Sequence, residues 1–331
     1  MTRPTHPLRS HGLPRLGLLL VAALASLALA SAIGSLALTP SQWFAGLLHP
    51  DTDLASRILW ELRLPRALTA FAVGALLGLA GALMQVLLRN PLGDPYVLGV
   101  SGGAAFAVLL AMLLGLPLLW LAPLAFAGAL LSTLLVFALA RSGQNLLLTG
   151  VVVAAGWGAA ISFILSTSPP VQLPGMLFWL MGDLSGALSP GLAWGVLAVG
   201  LLLTLPLARE LNLLGRGELA AASLGVTTGR LRWQVYGLAS LLTGTAVSIA
   251  GSIGFVGLIA PHLVRLLLGS DHRLVLPGAA LLGGGLLVLA DTLARSLIAP
   301  QQLPVGVLTA LIGVPLFLLL LRRVAGEGRQ R

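Results

Sequence analysis

Long apolar stretches, separated by short polar connections, make up most of this chain. About 20 apolar residues in a helix cross the roughly 30 Å of hydrocarbon in a bilayer. The pattern predicts ten such helices, of which the eighth is short and carries Pro261 and Arg265 in "APHLVR". Pro261 would kink a helix, and Arg265 has to lie near its end. The predicted helices span 16–38, 67–88, 97–115, 117–140, 146–167, 191–208, 233–253, 255–269, 275–298 and 306–323.

Glycine and proline cluster at several of the predicted helix ends. Such backbone is tolerated in a membrane protein where it packs within protein or lines a watery cavity, so we expect broken or re-entrant helices around a path. The alternative is tight packing, as expected for the GxxxG pair Gly74 and Gly78. Segment 174–186 is too short to cross, and Trp179 would anchor it as an interfacial helix. The clustered stretches are 89–103, 166–175, 251–262 and 301–315.

Composition identifies the class of protein. Hydrophobic residues make up 57% of the chain, charged residues 9%, and the mean hydropathy is +1.00. These values predict an all-α polytopic membrane protein rather than a soluble domain. The chain has no cysteine, which excludes disulfides, thiol catalysis and Cys-ligated metals. It also has no lysine and so lacks a Walker A phosphate loop, which places any ATP and Mg on another subunit.

The charge pattern predicts the orientation in the membrane. The formal charge is +9, but the 19 basic residues are scattered as ones and twos between apolar runs, which disfavours a nucleic-acid partner. With a cytoplasmic N-terminus, 15 arginines fall on inner connections and four on outer ones, as the positive-inside rule requires. Without the eighth helix, Arg322 and Arg323 would lie outside. The outer arginines are Arg57, Arg63, Arg66 and Arg295.

This orientation places both termini in the cytoplasm. Residues 1–15 form an N-terminal arm, 16–323 a single ten-helix domain and 324–331 a tail. The first apolar run, with its basic flank and the small residues of "ALASA", could also be a cleaved signal peptide. Its length of some 23 residues exceeds the usual 7–15 of a signal sequence and favours a retained helix.

The connection 208–232 is the one sizeable polar stretch inside the chain. Within it, "GELAAASLG" predicts a short helix that begins near Glu218, whose charge suits the helix dipole, and ends at Gly225. One interpretation is an amphipathic helix on the inner leaflet, in contact with lipid. The other is a docking helix for a cytoplasmic partner.

Seven blocks of sequence, quoted below, follow one another between Arg63 and Arg323. Together they resemble the permease subunits of bacterial ABC importers for ferric siderophores, haem and vitamin B12. The resemblance implies an inner-membrane permease with ten helices, a second permease subunit in a homodimer or close heterodimer, two cytoplasmic ATPases, and a periplasmic or lipid-anchored binding protein. The blocks are "RLPRALTAFAVGALLGLAGALMQVLLRNPLGDPYVLGVSGGA", "WLMGDLSG", "GELAAASLGV", "GSIGFVGLIAPHLVRLL", "DHRLVLPGAALLGG", "ADTLAR" and "LPVGVLTALIGVPLFLLLLRR".

The resemblance also implies a docking role for Arg63, Arg66 and Arg295. In this family, arginines at matching positions pair with acidic residues on the two lobes of the binding protein, and bidentate Arg–carboxylate contacts suit oriented, reversible docking. Arg57 has no such match. The alternative is local neutralisation, of Arg295 by Asp291 and of Arg57 and Arg63 by Asp51, Asp53 and Glu61.

Two further groups of residues follow from the resemblance. The connection 208–232 would lie in a groove of the ATPase and pass on its closure as a rigid-body push. The fifth and tenth helices would line the path, with a cytoplasmic gate at "RNPL" and at "SGQNLLLTG". Some relatives carry small hydroxyl residues at two of these gate positions, where this chain has Gly143 and Gln144. The implied coupling residues are Glu218, Ala221, Leu224 and Gly225, and the gate residues are Asn90, Leu92, Gly143 and Gln144.

The expected function is passage of a metal chelate powered by ATP on another subunit. A ferric siderophore is favoured by the breadth of that group, with cobalamin or haem as alternatives, and the metal travels inside its chelate, so no cofactor or metal site is expected in this chain. An ion-coupled secondary transporter would place ionisable residues at mid-membrane, whereas Asp94, Asp183 and Asp291 fall at predicted helix ends. An enzyme would need clustered His, Asp or Glu, but the histidines are dispersed, and His262 and His272 are interpreted as structural.

Overall fold

The computed structural model of the chain is built from α-helices and describes residues 8–34, 38–50, 53–140, 145–187 and 190–328. A π-helical stretch, Ile58–Arg63, joins the third helix to the fourth, and single 3₁₀ turns form at Pro95–Leu98 and Leu118–Trp120. The helices are α1 (Leu8–Ala32), α2 (Pro40–Leu48), α3 (Leu54–Arg57), α4 (Leu64–Leu87), α5 (Val100–Leu113), α6 (Leu121–Leu139), α7 (Asn145–Thr167), α8 (Leu173–Leu180), α9 (Gly191–Thr204), α10 (Ala208–Leu214), α11 (Glu218–Ser223), α12 (Thr228–Ala250), α13 (Val256–Leu268), α14 (His272–Ser296) and α15 (Val305–Gly328).

Each of the ten predicted segments coincides with a helix of the structure, namely α1, α4, α5, α6, α7, α9, α12, α13, α14 and α15. Two of these helices extend beyond the predicted spans, because α1 begins at Leu8 and α15 continues to Gly328. Backbone hydrogen bonds carry a helix past its apolar run into the interfacial layer, where polar side chains are solvated. The predicted arm 1–15 and tail 324–331 are therefore partly helical.

Five of the described helical stretches are long and apolar enough to cross a membrane alone. Counting α9 and α10 as one span bent by 66° makes six. The apolar helices Val100–Leu113, Val256–Leu268 and Val305–Leu319 are shorter, so ten crossings stay a prediction. The five stretches are Gly12–Ala32, Leu54–Leu87, Leu118–Leu139, Leu146–Thr167 and His272–Ser296.

Helix α4 lies at the centre of the fold, buried on nearly all sides, and packs most extensively against α14. Glycines bring the two backbones into contact. A Cβ placed on Gly74 would lie 2.3 Å from the carbonyl oxygen of Gly283, and one on Gly78 would lie 2.2 Å from that of Ala279. The predicted close approach at the GxxxG pair is confirmed, and it lets packing forces act directly between the two main chains.

Pro261 lies inside α13, which continues through it from Val256 to Leu268. Because proline has no N–H, it leaves the carbonyl of Gly257, four residues earlier, without its usual helical donor. That oxygen faces Gly81 of α4 so closely that a Cβ on Gly81 would lie 1.8 Å from it. The proline and the glycine together allow α13 to pack on α4.

Gly81→Ala is expected to destabilise the protein by about 3 kcal/mol or more, because overpacking costs 1–3 kcal/mol even where side chains can move and here the obstacle is backbone. The measurement is the thermal midpoint in detergent, followed by tryptophan fluorescence. Gly156→Ala in α7 is the matched control, since nothing lies within 4 Å of a Cβ at that position. Equal midpoints for the two variants would contradict the packing described for α4 and α13.

The connection after α4 folds back beside the helix. Its 3₁₀ turn puts Pro95 next to Gly257, where a Cβ would meet Pro95 Cδ at 3.2 Å and the carbonyl oxygen of Leu77 at 3.0 Å. The hydroxyl of Tyr96 accepts the backbone N–H of Ile253 at 3.1 Å. Since Leu77 lies well inside α4, this glycine- and proline-rich connection packs within the protein, where such backbone is tolerated.

Candidate functional site

Polar side chains gather at both ends of the α4–α14 pair. One group, which we call the arginine cluster, consists of Arg63, Arg66, Asp291, Arg295 and Gln302. The start of α4 and the last turns of α14 supply most of it. The opposite ends of these helices approach the connection 208–232.

Asp291 is the acceptor at the centre of the arginine cluster. Arg66 Nε donates to both of its carboxylate oxygens, at 3.2 and 3.0 Å, and Arg66 Nη2 donates to Oδ1 at 2.9 Å. Arg66 Nη1 donates to Gln302 Oε1 at 2.7 Å. Arg295 Nε lies 3.3 Å from Asp291 Oδ2, one turn along α14, which confirms the predicted Arg295–Asp291 pair. One carboxylate therefore serves two guanidinium groups.

Two arginines of the cluster also hold the last turn of α1. Arg63 Nη1 donates to the carbonyl oxygens of Ser31 and Ala32 at 3.1 and 2.8 Å, and Arg295 Nη2 donates to that of Ala30 at 2.9 Å. The last carbonyls of a helix have no partner within it and carry partial negative charge. These contacts fix the end of α1 to the bundle.

The charges of the cluster do not balance. Two guanidinium groups, those of Arg66 and Arg295 at 8% and 9% exposed, share the single carboxylate of Asp291, which is 1% exposed. Buried charges require partners, and the α1 carbonyls supply part of the missing negative charge. The site keeps a positive excess that suits an acidic partner. Arg57, in contrast, is exposed at the end of α3.

The connection 208–232 folds as α10, α11 and the first turn of α12. The short helix predicted at "GELAAASLG" is present as α11, and Gly225 follows it with a φ of +86°, which favours glycine. Glu218 pairs with Arg232 at 3.0 Å. Ala221 is fully buried, so its side chain supports α11 from within the chain instead of facing outward.

Two large leucines are exposed on and just after α11. Leu219 is 89% exposed and Leu224 is 64% exposed. Leu224 is one of the predicted contact residues, whereas Leu219, the apolar residue beside Glu218 in the same motif, is not among them. Large apolar side chains that are exposed on an otherwise polar connection are typical of a surface that binds a protein or a membrane.

Two of the predicted gate residues, Asn90 and Leu92, lie just after the end of α4. Asn90 Oδ1 accepts the backbone N–H of Leu92 at 2.9 Å, and the Asn90 N–H donates to the carbonyl of Gln85 at 3.0 Å. Asn90 thus shapes the turn that ends the helix, and Leu92 is 39% exposed beyond it. Gly143 and Gln144 lie outside the described residues.

The described residues contain no group of three or more His, Asp or Glu side chains placed to hold a metal ion. The side chains singled out above can bind charged partners and support packing.

Comparison with known proteins finds relatives that match most of this chain. The sequence profile of the FecCD transport family matches residues 18–323. The hemin transport system permease protein of Yersinia pestis is 42% identical over 327 residues, covering 93% of this chain and 95% of that protein. The vitamin B12 import system permease protein of Yersinia enterocolitica is 40% identical over 315 residues, covering 92% of each chain.

One solved structure shares the fold closely. It is a metal-chelate type ABC transporter in an inward-facing conformation, with a TM-score of 0.83 and 34% sequence identity. The match covers 94% of this chain and 99% of that one.

Proposed function

Because this chain belongs to the FecCD transport family, we propose that it forms the membrane path of an ATP-driven importer for a ferric siderophore, with vitamin B12 and haem as alternative cargoes. The family match over 18–323 carries this proposal. The chain is a multi-pass permease of the inner membrane, in a family of ABC importers for metal chelates, haem or vitamin B12, and is not itself catalytic. The relatives named for hemin and vitamin B12 support a chelate cargo.

ATP and Mg would bind to two partner ATPases in the cytoplasm, since this chain has no lysine for a Walker A loop. Helix α11 is the proposed contact, and the exposure of Leu219 and Leu224 supports it. The pairing of Glu218 with Arg232 of α12 connects α11 to a long helix, so movement of α11 would be passed into the bundle. The arginine count supports cytoplasmic termini.

A second copy of the chain would complete the path. Only 11% of the membrane window of α7 is buried, and Leu148 and Phe163 on that helix are 67% and 69% exposed. Leu311 and Leu319 of α15 are also exposed. Unpaired apolar faces on these two helices support a homodimer that encloses the path between the copies, with the turn at Asn90 and Leu92 near its cytoplasmic end.

The arginine cluster would receive the acidic lobes of a periplasmic or lipid-anchored binding protein. Its positive excess supports this role, but Arg66 and Arg295 already share Asp291. Docking would therefore require partner carboxylates that replace part of the contact with Asp291.

The test of cargo uses proteoliposomes that contain the chain co-purified with its neighbouring gene products. Uptake of a ferric siderophore, haem and cobalamin is compared with ATP, without ATP, and under an ion gradient alone. We expect ATP-dependent uptake of one chelate, stimulated by the binding protein. Uptake driven by the ion gradient, with no ATPase present, would instead show a secondary transporter.

Arg63→Gln with Arg66→Gln is expected to weaken binding of the binding protein about tenfold or more, because charge-assisted hydrogen bonds contribute roughly 1.5–3 kcal/mol each. The measurement is the dissociation constant, taken together with the thermal midpoint, since both arginines are buried. Arg57→Gln, in the same connection but exposed, is the control and is expected to change affinity less than about twofold. If only Arg57→Gln weakened binding of the binding protein, the docking surface would lie at Arg57 instead.

A further inference from the structure

A cavity of about 800 Å³ lies between the ends of α4, α10, α13 and α14 that face away from the arginine cluster. We call it the basic cavity. Arginine and histidine side chains dominate its charged lining, and Asp271 is the one acidic residue there. The basic residues that line it are Arg89, Arg216, His262, Arg265 and His272.

Asp271, the one acidic residue that lines the basic cavity, already accepts hydrogen bonds from within the chain. Asp271 Oδ1 accepts Asn212 Nδ2 at 2.8 Å and the backbone N–H of Arg273 at 3.0 Å. Burial acts to raise the pKa of Asp271, but these hydrogen bonds and the charges of Arg273 and His272 outweigh it and hold the pKa below its usual value. Asp271 therefore stays ionised as the cap of α14, and its one negative charge leaves the three lining arginines in excess.

Two of the residues that line the basic cavity are histidines with a buried ring nitrogen. The Nε2 atoms of His262 and His272 are buried and find no hydrogen-bond partner within the described residues. His272, 5% exposed, places Nδ1 2.6 Å from Asn212 Oδ1, which also accepts the backbone N–H of His272 at 2.9 Å. Nδ1 therefore carries a hydrogen, and Nε2 is left to bind something else. A buried polar atom without a partner is costly, so a ligand there would be stabilised.

The rim of the basic cavity combines charge with apolar surface. Arg89 and Arg216 are exposed, and Arg89 has a φ of +48°, a conformation that is strained for a residue other than glycine. Leu266 also lines the cavity and is 64% exposed, next to Leu267 at 47%. Basic residues beside exposed leucines at helix ends match the headgroup and upper acyl region of a phospholipid.

We propose that the basic cavity binds a phosphate group, either the headgroup of an anionic phospholipid or free phosphate. Arg89, Arg216 and Arg265 supply the positive charge, and His272 Nε2 accepts a hydrogen bond from a hydroxyl of the ligand. Asn212 and Arg216 belong to the connection 208–232, so a bound phosphate would join this connection to α4 and α14. The site does not depend on which chelate the permease carries.

The test uses the full-length purified chain in nanodiscs, with the thermal midpoint and native mass spectrometry as readouts. Inorganic phosphate is titrated into phosphatidylcholine discs, with chloride at equal ionic strength as the reference. Separately, phosphatidylcholine discs are compared with discs that also contain phosphatidylglycerol. Stabilisation and retained lipid only with phosphatidylglycerol would identify the lipid headgroup, and saturable stabilisation by phosphate would identify the free anion.

Arg89→Gln with Arg216→Gln is expected to weaken the binding about tenfold or more. Both side chains are exposed on the rim, so the variant should fold. Arg209→Gln with Arg230→Gln removes the same charge from exposed positions that do not line the cavity, and should bind as the unchanged chain does.

Three results would overturn the proposal. The first is binding in neither arm, and the second is equal loss in both double variants, which would show a general charge effect. The third is loss of the ATPase in Arg89→Gln with Arg216→Gln but not in the control, without any phosphate binding, which would assign the cavity to a protein contact.

Discussion

Asp291→Ala is expected to lower the free energy of unfolding by about 3–5 kcal/mol, the usual cost of removing one partner from a buried ion pair. The variant would leave Arg66 and Arg295 buried without their carboxylate, and Gln302 as the remaining side-chain acceptor for Arg66. The measurement is the thermal midpoint in detergent, together with the monodisperse fraction in gel filtration.

Glu61→Ala is the matched control, because it removes the same charge from an exposed position in the neighbouring π-helical stretch. Its effect should stay within about 0.5 kcal/mol. Asp291→Asn, which keeps the shape and one acceptor oxygen, should fall between the two. If Asp291→Ala had the same thermal midpoint as the unchanged chain, the guanidinium groups would have to be paired with other anions.

Leu219→Asp is expected to weaken association with the ATPase by about 30-fold or more, because truncation of a central anchor in an interface costs roughly 2 kcal/mol or more. The side chain is 89% exposed, so the permease itself should keep its stability. Co-purification of the ATPase and the transport-coupled rate of ATP hydrolysis would both fall.

Leu48→Asp is the control for this variant. Leu48 ends α2 and is 73% exposed, on the predicted outer side, and its replacement should leave ATPase binding unchanged. Intact ATPase binding by Leu219→Asp would exclude α11 as the contact and favour its interpretation as a helix on the membrane surface.

The positions of the long helices were predictable because a helix that crosses the hydrocarbon of a bilayer needs a long apolar run, and such runs are visible in the sequence. The ends of the helices were not predictable. Leu8–Arg15 and the last turn of α15 are helical through backbone hydrogen bonds, which leave no hydrophobic pattern in the sequence. The short helices α2 and α3 also escaped prediction. Both begin with a capping box, at Thr39 and Asp53, which is a local signal that the sequence does contain.

The candidate site was predictable only where partners are close in sequence. Arg295 and Asp291 are one helical turn apart, and their pair followed from that spacing. Arg66 and Asp291 are 225 positions apart and meet only because α4 and α14 pack together. The burial of Ala221 and the exposure of Leu219 depend on how α11 rests on its neighbours, which its mild amphipathicity does not determine.

The glycine contact between α4 and α14 has a mechanical consequence. Arg66 and Gln85 on α4, like Asp291 and His272 on α14, are separated by about 28 Å at 1.5 Å per residue. Main chain touches main chain between them, at Gly74 and Gly283, so no layer of side chains can yield when the pair is loaded. We therefore expect the two helices to tilt together, so that a tilt imposed at the arginines would also move the basic cavity.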